Sequence, residues 1–185
     1  MPSVRRVAAP PTVTDMKLTA SLEEAFNQQI TLEFHASLVY RQLAIEMEIH
    51  DLPGMAGWLR AQADEEIVHA NKFIDHVADR DNHPRIGTQG APQVSATTPL
   101  EVFRAALEHE AKVSESIRAL YRLAEAEGDL DSRPLLNWFI EEQIEEEATV
   151  RELIGRLEMI NDDGPGLLRL DAELSSRTSP GTEAV

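Results

Sequence analysis

Residues 82–98 read "NHPRIGTQGAPQVSATT", a run of Pro, Gly, Ser and Thr with no apolar period. A loop of this length inside a compact domain ordinarily argues against the elements drawn on either side of it. Those elements are nonetheless strongly marked. Two helical patterns precede the loop, over about 20–50 and 53–80, and two follow it, over about 99–127 and 133–160. Short connections make each pair antiparallel neighbours. A helix of about 28 residues is roughly 42 Å long. The linking segment, fully extended, spans roughly 55 Å. It can therefore run the length of the bundle and start the third helix parallel to the second. The expected fold is all-α, a four-helix bundle with one long crossover.

Local signals mark the ends. Ser21 stands three residues before Glu24, a capping-box spacing for the first helix. Asp51 and Pro53 open the second, with Pro in its first turn. Thr98, Pro99 and Glu101 open the third, which stops at Gly128. Asp131 or Ser132 caps the fourth. "NDDGPG" at 161–166 ends it, and "LLRLDAELSSR" from Leu167 reads as a short fifth helix. Residues 1–17 are expected to form a flexible arm, 18–176 the bundle with its fifth helix, and 177–185 a disordered tail. No alternating run or hairpin turn argues for a strand.

Composition narrows the function. The 185 residues carry 33 acidic against 17 basic side chains, a formal net charge of −16. That disfavours nucleic acid and anionic membrane as partners. There is no cysteine, hence no disulfide, thiolate metal site or thiol nucleophile, which fits a reducing cytoplasm. No apolar run approaches the roughly 20 residues of a membrane span. The N-terminal "MPSVRRVAAPPTVTDM" lacks the apolar centre of a secretory signal.

Each helix can be followed at alternating three- and four-residue steps, the spacing of a buried stripe. The first gives Phe26, Ile30, Glu33, Ser37, Tyr40, Ala44 and Met47, and the second Leu59, Gln62, Glu66, His69, Phe73 and His76. The third gives Phe103, Leu107, Glu110, Val113, Ile117, Leu120 and Ala124; the fourth gives Leu135, Phe139, Glu142, Glu146, Val150, Leu153 and Leu157. Every stripe is apolar at both ends and carries a carboxylate in its middle third. The fourth helix is the extreme case: "WFIEEQIEEE" at 138–147 mixes Trp138, Phe139, Ile140 and Ile144 with glutamates that cannot all point away from the core.

An isolated carboxylate moved into low dielectric costs several kcal/mol even after relaxation. Protonation, basic partners or metal cations are the available remedies. No stripe offers Lys or Arg near the glutamates, and shared protons neutralise one or two groups at most. Cations remain. Glu66 and His69 form Glu-x-x-His, whose spacing puts both side chains on one helix face. Mixed carboxylate and imidazole ligands with open positions suit iron or manganese, with zinc a competitor.

"TLEFHASLVY", "DEEIVHA", "HEAKVSESI" and "WFIEEQIEEE" resemble the corresponding helices of bacterial non-haem ferritins, within the ferritin-like di-iron carboxylate family. The resemblance covers about 20–175, including the crossover and the short last helix. It implies that Glu33, Glu66 and His69 hold one iron, and Glu66, Glu110 and Glu146 the other. Glu66 would bridge the two. It implies that Gln143 lies beside the centre where oxygen binds. It further implies that Glu65, Glu142 and Glu145 form a third iron site, and that Tyr40 hydrogen-bonds a ligand and can give up an electron. The implied activity is a ferroxidase that oxidises Fe(II) with dioxygen or peroxide and stores ferric mineral in a homo-oligomeric cage, of 24 subunits.

Bacterioferritins and rubrerythrin-like proteins carry a second Glu-x-x-His on the fourth helix; here the matching position is Thr149, so the second iron should be held more weakly. The region where bacterioferritins place a haem-ligating methionine, "GWLRAQADEE", has none, and no haem is expected. Other side chains have plainer readings. Trp138 and His76 read as packing residues. His35, His50, His83 and His109 fall off the stripes and default to the surface, as do Glu141 and Glu147. Ser37 has no partners for nucleophilic catalysis. Leu38, Leu43 and Ile45 lie off the core stripe and need another partner. Asp129 and Asp131 could line an inlet for iron, although turns are commonly acidic. Two alternatives stay open: a non-storage di-iron or di-manganese oxidase of the same fold, and a metal-free helical scaffold.

Overall fold

A computed structural model describes residues 16–161 and 163–176. It contains α1 (Ala20–Ile49), α2 (Pro53–Asp79), α3 (Pro99–Glu127), α4 (Arg133–Ile160) and α5 (Gly164–Ser176), with no strand among the described residues. The first four form the expected bundle. Helix α1 packs chiefly on α2 and α3 chiefly on α4, α1 also meets α3, and α5 lies against α2 and α4. The expectations for the N-terminal arm up to residue 15, and for the tail from 177, lie outside the described residues. No helix among the described residues is long and apolar enough to cross a membrane.

The crossover does what its length demands. The Asn27 side chain bonds both the His83 carbonyl (3.2 Å) and the Arg85 amide (2.7 Å), and Thr31 Oγ1 accepts from the Gly87 amide (2.9 Å). Near the far end of α1, the His50 ring contacts the Thr97 carbonyl. The segment thus runs along α1 from its first third to its last residue. Backbone groups that a loop would leave bare find partners on the helix it crosses.

Helix ends follow the sequence signals with two corrections. Thr98 and Glu101 form a capping box, and Gly128 closes α3 with φ 72°, the left-handed conformation that glycine adopts at little cost. The cap of α1 is Thr19, not Ser21: Thr19 is extended and accepts from the Leu22 amide, while Ser21 is already helical and its hydroxyl goes to Glu127. The cap of α4 is Ser132, but its hydroxyl serves Asp129 and His76 and not the helix amides.

The core is divided. One apolar cluster joins Leu43, Ala44, Met47, Leu59, Phe103, Val150 and Leu153 with Leu170 and Leu174 of α5. The other joins Leu22, Phe26, Ile30, Phe73, Val113, Ile117, Leu136 and Phe139. Between them lies a buried polar layer of Glu33, Ser37, Gln62, Glu66, His69, Glu110, Ser114, Gln143 and Glu146. Leu43 is fully buried inside the subunit, so of the three apolar side chains that needed a partner only Leu38 and Ile45 stay exposed. Ile144, grouped by sequence with the packing residues, is 59% exposed. In α4 the buried positions are Leu136 and Gln143, where the stripe had Leu135 and Glu142. The helix is rotated by one residue at those steps, and this puts an amide in the core.

Helix α2 has no side-chain cap from its own start. Asp171 of α5 supplies it, its Oδ1 accepting from the Met55 amide at 2.7 Å. Gly54 permits the approach: a Cβ there would lie 1.9 Å from the Asp171 carbonyl oxygen. At the opposite end, the buried guanidinium of Arg80 bonds Asp129 (2.9 Å), Ser132 and the Met16 carbonyl. Gly54→Ala is therefore expected to cost about 1–3 kcal/mol through forced separation of α5 from α2. Limited proteolysis should cut the C-terminal segment earlier in this variant. Unchanged cleavage and melting would show that α5 is held elsewhere.

Candidate metal centre

The polar layer collects one carboxylate from each long helix: Glu33 from α1, Glu66 from α2, Glu110 from α3 and Glu146 from α4. Each sits one helical repeat from apolar neighbours that bury it, such as Ile30 before Glu33 and Val150 after Glu146. Helix periodicity brings His69 to the same face as Glu66, with Nδ1 3.4 Å from Glu66 Oε2. Glu33, Glu66 and His69 offer ligand atoms within 4.8 Å of one another. That trio is the first iron set implied by the resemblance.

The other carboxylates are held by neutral donors. Tyr40 donates its hydroxyl to Glu110 Oε1 at 2.5 Å, and Gln143 donates to Glu110 Oε2 at 3.0 Å. Gln62 donates to Glu146 Oε2 at 2.9 Å, and Gln29 to Glu33 Oε1 at 2.8 Å. The remaining oxygens, Glu33 Oε2 and Glu66 Oε2, are buried without a donor when both groups are ionised. The Glu33 and Glu66 carboxyls lie close enough to hydrogen-bond when one of them carries a proton. No Lys or Arg among the described residues pairs with Glu33, Glu66, Glu110 or Glu146.

Electrostatics follow from that layout. Burial pushes Glu33 well above the ordinary carboxylate range, and the neighbouring Glu66 charge adds to it. Burial likewise raises Glu66, with Glu110 and Glu146 as further repulsive neighbours. Glu110 is raised by burial against the opposing hydrogen bonds of Tyr40 and Gln143. Burial and then Glu110 push Glu146 up to about 9.

The residues expected at a third site are partly assembled. Glu65 and Glu142, both half-buried, come within 4.8 Å of a His69 ring nitrogen. Glu145 is exposed and lines, with Gln62, Glu65, Glu142, Glu146 and Thr149, an opening of about 80 Å³. The second iron set is looser than the first. Glu110 and Glu146 act on Glu66 through charge but are turned towards their own donors. Trp138 packs edge-on to His69 with ring centroids 5.7 Å apart, and Lys72 Nζ lies 4.5 Å from its ring centre.

Several surface readings need correction. His109 is 8% exposed, packed beside His35, and burial followed by the His35 and Lys112 charges lowers its pKa to about 4. It lies on the α1–α3 contact, a side the stripe rule does not see. Glu147 is half-buried, accepting from Ser114 at 2.6 Å and paired with Arg118 and Arg151. Asp129 is taken up by Arg80, which makes it a poor lining for an inlet; Asp131 stays exposed. His76 is structural, bonded to Ser132 at 2.9 Å and packed on Phe26. Sequence reasoning missed Gln29, and it left Gln62 in its stripe without a role. Gln29 had one signal, its spacing of four residues before Glu33, whereas Gln62 serves Glu146 on another helix and no spacing announces it.

A bundle with this crossover and a central layer of carboxylates and one imidazole belongs to the ferritin-like architecture. A family model, Ferritin, described as a ferritin-like domain, matches residues 23–160, and the chain belongs to that family. The bacterial non-heme ferritin of Escherichia coli O157:H7 is 32% identical over 159 residues, 86% of this chain and 96% of that protein. That of Staphylococcus epidermidis is 34% identical over 161 residues, 87% of this chain and 97% of that protein. A solved open pore ferritin from Archaeoglobus fulgidus superposes with TM-score 0.85 at 33% identity, covering 88% of this chain and 99% of that one.

The raised carboxyls set the pH dependence of the metal-free protein. They stay protonated in the fold where the unfolded chain has them ionised, above the ordinary value of 4.5. The stability gained by protonation is complete below that value and is lost as pH rises through the folded values, about 9 for Glu146. The metal-free melting temperature is therefore expected to fall between about pH 6 and 9. A divalent cation should raise it by binding the folded state, and more at about pH 8 than at about pH 5.5, because protons compete for the same ligands. A rising metal-free profile with no effect of cation would contradict this account of the site.

Proposed function

We propose that this protein is an iron-storage ferritin: a ferroxidase that oxidises Fe(II) to Fe(III) and stores the ferric mineral in a hollow homo-oligomeric cage of 24 subunits. The supporting observation is the pair of buried oxygens, Glu33 Oε2 and Glu66 Oε2, left without a hydrogen-bond partner in a cluster with His69 that no Lys or Arg among the described residues pairs with. Apolar packing of equal volume would be the more stable filling for a purely structural bundle. The scaffold alternative leaves this layer without a cause.

Fe(II) enters as substrate. Glu33, Glu66 and His69 take the first ion, and Glu66, Glu110 and Glu146 take the second once their protons are displaced. The ionised carboxylates of Glu33, Glu66, Glu110 and Glu146 carry four negative charges, which two Fe(II) ions balance. Each iron gives one electron, and the pair reduces dioxygen to hydrogen peroxide, or hydrogen peroxide to two waters, with uptake of two protons; the two extra positive charges are met by oxide or hydroxide from water, whose protons leave. A further electron would come from Tyr40, which donates its hydroxyl to Glu110. The second iron has no imidazole, since Thr149 stands where one would be needed, so its product is weakly retained. Glu65, Glu142 and Glu145 line the way out. The same feature weighs against a permanent di-iron or di-manganese oxidase. Iron is the only metal in this reading, and no haem takes part.

Glu66→Ala is expected to abolish fast Fe(II) oxidation, followed by ferric absorbance, because it removes the ligand shared by both ions. The metal-free variant should melt no lower than wild type, since the buried Glu66 carboxyl and its repulsion with Glu33, Glu110 and Glu146 are removed. Rapid oxidation by this variant would sink the assignment. In the wild type, iron supplied well beyond three per subunit should still be oxidised and co-migrate with an assembly of cage mass. Thr149→His should hold the second ion longer and slow that turnover. Oxidation that ends permanently at two irons per subunit, without mineral, would mean a cofactor enzyme.

A further inference from the structure

One hydrogen-bonded chain reaches the centre from outside its ligand set. Ser116 of α3 donates its hydroxyl to Gln29 Oε1 at 2.6 Å, and Gln29 Nε2 donates to Glu33 Oε1 at 2.8 Å. Gln29 is buried on α1, one turn before Glu33, while Ser116 is half-buried. We propose that Gln29, oriented by Ser116, is the positioning residue that presents Glu33 to the first Fe(II). The proposal rests on the ferroxidase reading above.

The two oxygens of Glu33 divide the labour. Gln29 occupies Oε1 and leaves Oε2 buried with no donor, on a carboxylate that offers a ligand atom within 4.8 Å of those of Glu66 and His69. Rotation about the last side-chain bond of a glutamate is soft and roughly two-fold, so an unanchored carboxylate would spend time turned away from the ion. Glu110 has two anchors, Tyr40 and Gln143, and Glu146 has Gln62. For Glu33 Oε1, Gln29 is the single side-chain donor among the described residues. A neutral amide is the appropriate group. An Arg or Lys at 29 would cancel the charge that recruits the cation, whereas an amide fixes direction and leaves the charge in place. The Glu33 carboxylate, which can only accept, calls for the N–H end of the amide, and the Ser116 hydroxyl, donating to the Oε1 end, holds it there. Each bond polarises the next.

The test uses the full-length assembled protein and three variants: Gln29→Leu, Ser116→Ala and the double substitution. Anaerobic titration with Co(II), read by calorimetry, gives the affinity of the first cation without chemistry. Gln29→Leu is expected to weaken it roughly tenfold, the worth of one hydrogen bond to a charged group. Ser116→Ala should weaken it about threefold, since the amide stays but is free to turn. In the Gln29→Leu background Ser116→Ala should add nothing, a non-additivity that a purely packing role for either residue would not produce. Oxidation of Fe(II) should slow in parallel at low iron and recover at saturating iron. First-cation affinity in Gln29→Leu equal to wild type, or full additivity in the double variant, would overturn the relay. Should Gln29→Leu fail to assemble, Ser116→Ala decides alone, and an unchanged affinity there overturns the proposal. Wild-type protein that neither binds Co(II) nor oxidises Fe(II) would remove the ferroxidase reading first, and the relay with it.

Discussion

Four carboxylates are desolvated in the middle of this bundle, and among the described residues His69 is their one basic neighbour, with no Lys or Arg paired to them. The rest of the molecule is arranged around that constraint. Taking a charge out of water costs several kcal/mol even after relaxation, so stability has to come from elsewhere. It comes from the two apolar clusters on either side of the polar layer, each built from all four long helices. The clusters hold the helices in register whether or not an ion is present, and the layer between them is free to serve another purpose.

The chain treats its other acids differently, which provides an internal comparison. Glu147 is the next residue after Glu146, yet it has Arg118, Arg151 and the Ser114 hydroxyl. Asp129 is gripped by the guanidinium of Arg80; burial pushes its carboxyl up, but that hydrogen bond and the Ser132 hydroxyl more than reverse the effect. At both of these acids an arginine neutralises the charge. Around Glu33, Glu66, Glu110 and Glu146 the donors are amides and a phenol. Such groups fix direction and leave charge uncompensated, which is the condition a transient cation needs.

Long crossover, capped helices and a docked fifth helix serve the same end. Carboxylates from four helices converge at one height only if α3 starts at the correct end of the bundle, and residues 82–98 guarantee this by following α1 throughout. Asp171 and Gly54 then couple α5 to the start of α2, the helix that carries Glu66 and His69.

Much of this was legible in the sequence because helical periodicity is a local property. The stripes through Glu33, Glu66, His69, Glu110 and Glu146, the capping box at Thr98 and the stop at Gly128 each depend on residues within a few positions of one another. Where a stripe failed, the error was small in sequence and large in space: Gln143 and not Glu142 faces inward, because the rotation of α4 is set by its neighbours. The burial of His109 against His35 and the removal of Asp129 by Arg80 join residues far apart in the chain, and no spacing rule announces them. The sequence by itself determined that four helices carry carboxylates into one layer and that their core stripes offer no Lys or Arg beside them. Only the tertiary structure decided which carboxylate oxygens are anchored and that Glu33 Oε2 and Glu66 Oε2 are left open. That choice depends on donors such as Gln29, Ser116 and Gln62, whose positions are fixed by packing between helices.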